Sequence, residues 1–206
     1  MADTKCKTCR RVGQKLFLKK EKCLSPKCPI TRKPYPPGKR AKRIKPTSEY
    51  GLQLKEKQKL KFLYGLREKQ FVNYVKKAIE KGGSKTGPYL VQLLESRLDN
   101  VVYKLGFTSS RSTSRQVVSH GHICVNGKKV TIPSYKTKKG DKITIRAQSN
   151  SRKIFTDLDV RYKKYETPNW LKLDKIKRIG EVTGKPEEEA LVTDTETNAV
   201  IEFYSR

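Results

Sequence analysis

An α+β fold is predicted for this 206-residue chain by three observations. Apolar residues recur at helical spacing between residues 48 and 105; an Asn-Gly pair at 126–127 sits between short apolar runs and is followed by the alternating Lys142-Ile143-Thr144-Ile145-Arg146; and residues 1–47 hold four of the five cysteines and six of the ten prolines. The first argues for helices and the second for antiparallel strands, while the third describes a segment too poor in apolar residues to order itself. Leu, Ile, Val and Phe make up 23% of the chain, just above the ~20% below which a highly charged chain stays unfolded, so the core is lean.

Taken in order, Pro34-Tyr35-Pro36-Pro37-Gly38 is a rigid extended break that leads into a basic run at residues 39–45. Ser48 is suited to cap a helix carrying Leu52, Leu54, Leu60, Leu63 and Leu66, broken near Gly65. Phe71, Val72, Val75 and Ile79 mark a second helix, which Gly82-Gly83 stop. From Gly87 to Leu105 a 3.6-residue period predicts one long helix, with Gly106 as its left-handed stop. Ser112 is a candidate cap for a short helix ending at His120-Gly121. Asn126-Gly127 then predicts a type I′ hairpin, because both central residues of that turn need positive φ. Residues 151–164 form a further candidate helix, and Trp170 to Leu173, Arg178 to Val182 and Val200 to Phe203 are candidate strands.

Forty-eight Lys and Arg against 20 Asp and Glu give a net charge of +28, which repels itself unless a polyanion is near. No stretch approaches the ~18 apolar residues of a spanning helix and the start lacks the apolar run of a signal peptide, so nucleic acid is expected and membrane is not. The charge is uneven. Residues 1–50 carry +13, whereas residues 181–206 carry −5 and include Glu187, Glu188 and Glu189. Opposite faces for different neighbours are the pattern of a protein inside a larger assembly.

Cys6, Cys9, Cys23 and Cys28 stand as C-x2-C-x13-C-x4-C, two close pairs that suit a tetrahedral Zn²⁺ site. Two disulfides or four free thiols are the alternatives; the Lys-rich composition and the missing secretory signal favour metal. Cys124 has no cysteine partner in the chain and is expected to be a small buried apolar residue. His120 and His122 flank Gly121, but no Cys, Ser or acid stands with them in a catalytic spacing, so they are expected to meet phosphate or backbone. Residues 82–87 lack the order of a phosphate loop and are expected to be an interhelical turn. The candidate RNA-binding residues are Arg97, Arg111, Arg115, His120, His122, Asn126, Lys128 and Lys129, clustered at turns and helix ends where they would position phosphates rather than read bases.

Residues 95–107 (ESRLDNVVYKLGF), 114–123 (SRQVVSHGHI) and Val125-Asn126-Gly127 closely resemble the bacterial ribosomal protein S4 family. The resemblance extends over nearly the whole chain, through Pro36-Pro37-Gly38, residues 50–58 (YGLQLKEKQ), Pro133-Ser134-Tyr135 and the ending EFYSR, and includes the zinc-binding form of the N-terminus. One departure is Lys39-Arg40-Ala41, where the family commonly shows Gln-His-Gly. The resemblance implies a cytoplasmic, ribosome-bound structural protein and no enzyme: a primary binder of small-subunit rRNA that nucleates assembly of the subunit body. It also implies one structural Zn²⁺ and contact with mRNA at the entry channel through Arg40, Lys42, Arg43 and Lys45. A further implication is an interface with neighbouring small-subunit proteins, especially the uS5 family, that influences translational accuracy.

The expected organisation is a zinc-binding module and basic linker at 1–47, a discontinuous helical domain at 48–96 plus 177–206, and an inserted S4-type RNA-binding domain at 97–176. In the tail, Glu187, Glu188 and Glu189 are placed to meet a neighbouring protein, while Val200, Ile201, Phe203 and Tyr204 hold it to the helices of residues 50–82. An RNA-modifying enzyme or tRNA synthetase carrying the same module is the runner-up, but no other segment is long enough to be catalytic. A zinc-dependent DNA reader would need a recognition helix where the Pro-rich run stands.

Overall fold

The computed structural model describes residues 4–38, 46–163, 165–186 and 196–205. In chain order the helices are α1 (Thr4–Val12), α2 (Lys20–Leu24), α3 (Pro29–Arg32), α4 (Glu49–Leu63), α5 (Glu68–Gly82), α6 (Thr86–Glu95), α7 (Leu98–Lys104), α8 (Arg111–Ser119), α9 (Lys153–Thr156), α10 (Leu158–Lys163) and α11 (Thr197–Ser205). The strands are β1 (Ile123–Val125), β2 (Lys128–Lys129), β3 (Lys142–Ile145), β4 (Leu171–Asp174) and β5 (Ile179–Val182). Helices with an antiparallel sheet make the fold α+β. The chain divides into two compact units, Met1–Gly87 with Thr193–Arg206, and Pro88–Val192. Residues 177–186 thus lie with the second unit, whereas the sequence reading groups them with the tail; the cause is β5, which pairs with both β3 and β4.

In the first unit, α1 and α3 close on a small core of Cys9, Val12, Leu16, Cys28 and Ile30, with Leu18 and Phe62 packed against it. Residues 1–47 therefore have a nucleus that their composition does not advertise, and two of its five members are thiols. The Ser48 Oγ accepts from the Gly51 N–H at 3.2 Å and caps α4 as expected. The buried face of α4 differs from the Leu pattern: Leu52 points to solvent, while Gln53, Lys57 and Leu60, at i, i+4 and i+7, face inward.

What covers that face is α11, a helix where the sequence suggests a strand. Val200 is buried, Phe203 stacks on Tyr50 with ring centroids 5.4 Å apart, and Tyr204 lies 6.2 Å from Phe71. Helical spacing turns Val200, Phe203 and Tyr204 to one side, and no described strand lies nearby in the first unit to pair with an extended tail. Polar groups complete the latch. Glu68 accepts from Lys57 Nζ at 2.5 Å, Lys61 Nζ at 2.7 Å and the Tyr204 hydroxyl at 2.6 Å, and Lys57 Nζ lies 4.7 Å from the Phe203 ring centre.

The second unit is built on a sheet ordered β2-β1-β3-β5-β4 with antiparallel pairing throughout. Asn126 and Gly127 take φ of 50° and 78°, the I′ geometry expected for the hairpin. Leu98, Val101, Val102 and Leu105 of α7 and its end join Val117, Val118, Ile123, Ile143, Phe155 and Trp170 in one core. Cys124 on β1 is half-exposed rather than buried. The expected helix at 151–164 is two short ones, broken at Asp157. The cap of α8 is Ser110, not Ser112: Ser110 is extended and its Oγ accepts from the Thr113 N–H at 3.2 Å.

The largest departure is at residues 96–97, where the predicted continuous helix breaks into α6 and α7. Arg97 is extended, with φ −72° and ψ 138°, and the loop at 133–137 takes up the freed backbone groups. The Leu98 N–H donates to Tyr135 O at 2.9 Å, Asp99 N–H to Pro133 O at 3.1 Å and Thr137 N–H to Ser96 O at 2.9 Å. The Arg97 side chain is buried and grips Asp99, Nε to Oδ1 at 3.0 Å and a terminal nitrogen to Oδ2 at 2.5 Å.

Two outcomes follow from these contacts. Burial pushes the Glu68 carboxyl up, but the hydrogen bonds from Lys57, Lys61 and Tyr204 outweigh it and hold it down to about 2 from an ordinary 4.5. The latch therefore contributes fully above about 4.5 and is lost as pH falls toward 2. Glu68→Gln is expected to cost about 1–2 kcal/mol, since Glu68 is partly solvated, and to speed amide exchange at Val200 and Tyr204; unchanged exchange would remove Glu68 from the latch. Asp99→Asn leaves the Arg97 charge buried without its carboxylate and is expected to destabilise the second unit by about 3–5 kcal/mol, read by the fluorescence of Trp170, the chain's one tryptophan, during urea unfolding.

Candidate nucleic-acid interface

Of the basic residues singled out in the sequence, some are consumed by the fold. Arg97 is 1% exposed and committed to Asp99, so it shapes the α6–α7 break instead of meeting a ligand. Asn126 is spent on the hairpin: its Nδ2 donates to Asp141 Oδ1 at 2.9 Å and its Oδ1 accepts from the Lys142 N–H at 2.8 Å. Arg111 leans inward, donating from Nε to Asn100 Oδ1 at 2.8 Å with its guanidinium 4.7 Å from the Tyr103 ring centre. Asn100 in turn donates to Glu95 Oε2 at 2.8 Å. Arg115 is half-exposed, with one guanidinium edge 3.9 Å from Asp99.

The other residues converge. His122 is buried, with Nδ1 3.0 Å from Ser149 Oγ and its ring edge-on to Phe155. Burial pushes its imidazole pKa down, and the neighbouring Arg152, His120, Arg146 and Lys129 push it the same way. His122 is thus a neutral seat under a basic cluster, and the charges acting most strongly on it are all positive. His120 ends α8 and is exposed, 6.0 Å ring to ring from His122. Gly121 between them has φ +72°, and a Cβ there would collide with Lys129 Cε, so the glycine leaves room for the lysine chain to cross the turn. Lys128 and Lys129 are exposed on β2, at the edge of the sheet.

Arg146 and Arg152 were not among the sequence candidates. Arg146 follows β3, and its N–H donates to His122 O at 2.9 Å. The signal was available for this one: a hairpin whose β1 pairs antiparallel with β3 brings the residue after Ile145 beside the residue before Ile123. Arg152 immediately precedes α9, and no local pattern marks it. The cluster can hold several phosphate oxygens, which is chemistry for recognition by backbone and shape.

In the first unit Cys9, Cys23 and Cys28 are buried, Cys6 is partly so, and all four are free thiols. Burial raises the pKa of Cys6; Lys22 lowers it, and Cys23 and Cys28 raise it further. Burial likewise raises that of Cys9; the Leu16 backbone lowers it, and Cys23, Cys6 and Cys28 raise it. Cys6 and Cys9 thus each lie within electrostatic reach of Cys23 and Cys28, although no group of three or more potential ligands is drawn together in metal-holding geometry among the described residues. Arg40, Lys42, Arg43 and Lys45, and Glu187, Glu188 and Glu189, lie outside the described residues.

Residues 1–95 match the Ribosomal protein S4/S9 N-terminal domain and residues 96–143 match the S4 domain. The chain is 47% identical over 206 residues to the small ribosomal subunit protein uS4 of Syntrophomonas wolfei, covering 99% of this chain and 98% of that one. It is 46% identical over 202 residues to the uS4 protein of Thermus thermophilus, at 98% and 96% coverage, and 45% identical over 201 residues to that of Caldicellulosiruptor bescii, at the same coverage. With both compact units covered and nearly the full length of each relative matched, the chain belongs to the uS4 family of small ribosomal subunit proteins.

Proposed function

We propose that the second unit grips the phosphates of small-subunit rRNA through His120, Lys129, Arg146 and Arg152, with Arg115 and Lys128 beside them. The protein is a structural, non-enzymatic component of the small ribosomal subunit that binds rRNA. The observation that carries the reading is that His120 just after α8, Lys129 on β2, Arg146 just after β3 and Arg152 just before α9 all act on the buried His122, with the His120 ring 6.0 Å from it and the Arg146 N–H bonded to its carbonyl. Each cation displaces condensed counterions when it meets a phosphate, so affinity depends on salt. A rigid fold that presents several such groups at once orders the RNA around it, which is how one protein nucleates the assembly of a subunit body.

The finer assignments rest on charge and position. The basic run at 39–45, five Lys or Arg in seven residues directly after the stiff Pro-rich strap, is read as facing mRNA at the entry channel through Arg40, Lys42, Arg43 and Lys45. The acidic stretch at Glu187, Glu188 and Glu189 would be repelled by phosphate and is read as meeting a basic neighbour of the uS5 family, a contact through which decoding accuracy is tuned. Cys6, Cys9, Cys23 and Cys28 are read as the ligands of one structural Zn²⁺. Burial raises the pKa of Cys6 and Cys9, and the nearby sulfurs of Cys23 and Cys28 raise it further, a repulsion that a divalent cation relieves; the donor set suits zinc. When bound, the ion would cross-link α1 to the segment carrying Cys23 and Cys28.

Two experiments test this. Replacing Lys129, Arg146 and Arg152 together by Ala is expected to weaken rRNA binding and reduce the slope of log affinity against log salt by about one for each residue, without unfolding the second unit; an unchanged slope would move the RNA face elsewhere. Protein prepared without chelator is expected to hold one zinc per chain, and Cys9→Ser to lose it and disorder the N-terminal module, because structural zinc supplies ~10–16 kcal/mol in small modules. Elemental analysis showing no zinc in the unaltered protein would overturn the assignment.

A further inference from the structure

Phe17, in the loop between α1 and α2, has a backbone φ of +48°, the left-handed region that suits glycine or asparagine and is costly for a bulky side chain. Its ring is 50% exposed. Local preference opposes the residue twice, once through the backbone and once through apolar surface left in water. The loop around it is fixed. Leu16 is buried in the small core and Leu18 packs against that core, so the chain enters and leaves Phe17 from anchored positions. The Gly13 N–H donates to Cys9 O at 2.9 Å, and the Leu16 backbone bonds to the Cys9 sulfur.

Cations border the loop. Lys15 and Lys22 are exposed, and Lys55 Nζ, from α4, comes 3.7 Å from where a Cβ on Gly13 would stand. From Gly13 to Cys28 the chain holds Lys15, Lys19, Lys20, Lys22 and Lys27 against the single acid Glu21. An apolar protein surface would have to desolvate such ammonium groups, and lysine is depleted where protein meets protein; a polyanion gains from them. Within RNA, a paired base is covered above and below by its neighbours. An unpaired one offers a free face that an aromatic ring takes up by stacking, while lysines meet the flanking phosphates. Holding the ring in place beforehand, at the cost of a strained backbone, leaves less to order when the base arrives.

We infer that Phe17 is a specificity-determining residue for RNA: its ring stacks on an unpaired base, so that the N-terminal module favours looped or single-stranded RNA over duplex. The site lies in the first unit and stands independently of the phosphate grip of the second.

The test uses the full-length protein, prepared without chelator, and two probes: an unstructured strand of about twelve nucleotides, uridines around one 2-aminopurine, and the same strand paired to its complement. Affinity is read for both, and 2-aminopurine emission for the first. Phe17→Leu and Phe17→Asn are expected to weaken the single strand about tenfold and abolish the quenching of emission, with the duplex unchanged, whereas Phe17→Tyr keeps both. Asn tolerates the left-handed backbone, so Phe17→Asn is expected to melt no earlier than the unaltered protein; earlier melting would make the ring structural and overturn the site. If Phe17→Leu binds and quenches normally, apolar bulk suffices and the stacking role is overturned. It falls too if strand and duplex weaken alike, or if neither affinity changes while small subunits assembled with Phe17→Asn lose a neighbouring protein, which would make the occupant a protein. Replacing Lys129, Arg146 and Arg152 together by Ala is expected to weaken both probes and preserve the difference between Phe17 and its variants. Loss of that difference would move the stacked base to the second unit and overturn the inference, whereas normal binding by the triple variant would remove the second-unit grip and leave this site standing.

Discussion

The Asp99 carboxylate, buried where α7 begins, takes two hydrogen bonds from the buried Arg97 and stands 3.9 Å from Arg115, and the course of the second unit depends on it. Holding an arginine inside a protein is costly unless a carboxylate faces it. Here the pair sits at a corner, where extended residues 96–97 bond to the loop at 133–137 and α7 sets off over the sheet. A second buried acid, Glu95, does related work through Asn100, which passes the hydrogen bonding on to Arg111. Two acids of this strongly basic chain, Asp99 and Glu95, are thus used inside to orient helices, while Lys128, Lys129, Arg146 and Arg152 lie toward the surface.

Local chemistry made much of this legible in advance. Asn126-Gly127 announces its turn because few other pairs accept positive φ twice, and Ser48 announces α4 because a hydroxyl before a helix has one good use. The break between α6 and α7 was illegible for the opposite reason. Leu94, Leu98, Val101 and Leu105 keep helical spacing straight through it, and what interrupts the helix is a loop almost forty residues further on. The tail fails likewise: Val200 to Phe203 has the residues of a strand, and becomes helix because α4 and α5 offer it rings and carboxylates and no strand edge.

The candidate site was read with the same bias. Residue type drew attention to the basic region, yet it could not tell that Arg97 is buried against Asp99 or that the Asn126 amide bonds within the hairpin, because only the fold supplies those partners. His122 differs again: it is buried beside the basic cluster and bonded to Ser149. Arg152 could be placed only by the fold, since nothing in its neighbourhood distinguishes it from the chain's many other cations.

The exposed β2 has a bearing on the protein before it joins anything. A ribosomal protein is synthesised away from its RNA, and an open sheet edge offers a row of unpaired N–H and C=O groups to any strand that drifts by, including the same edge of another copy. With Lys128 and Lys129 as its two residues, that edge carries charge along its whole length. Two such edges repel, so newly made chains resist pairing strand to strand.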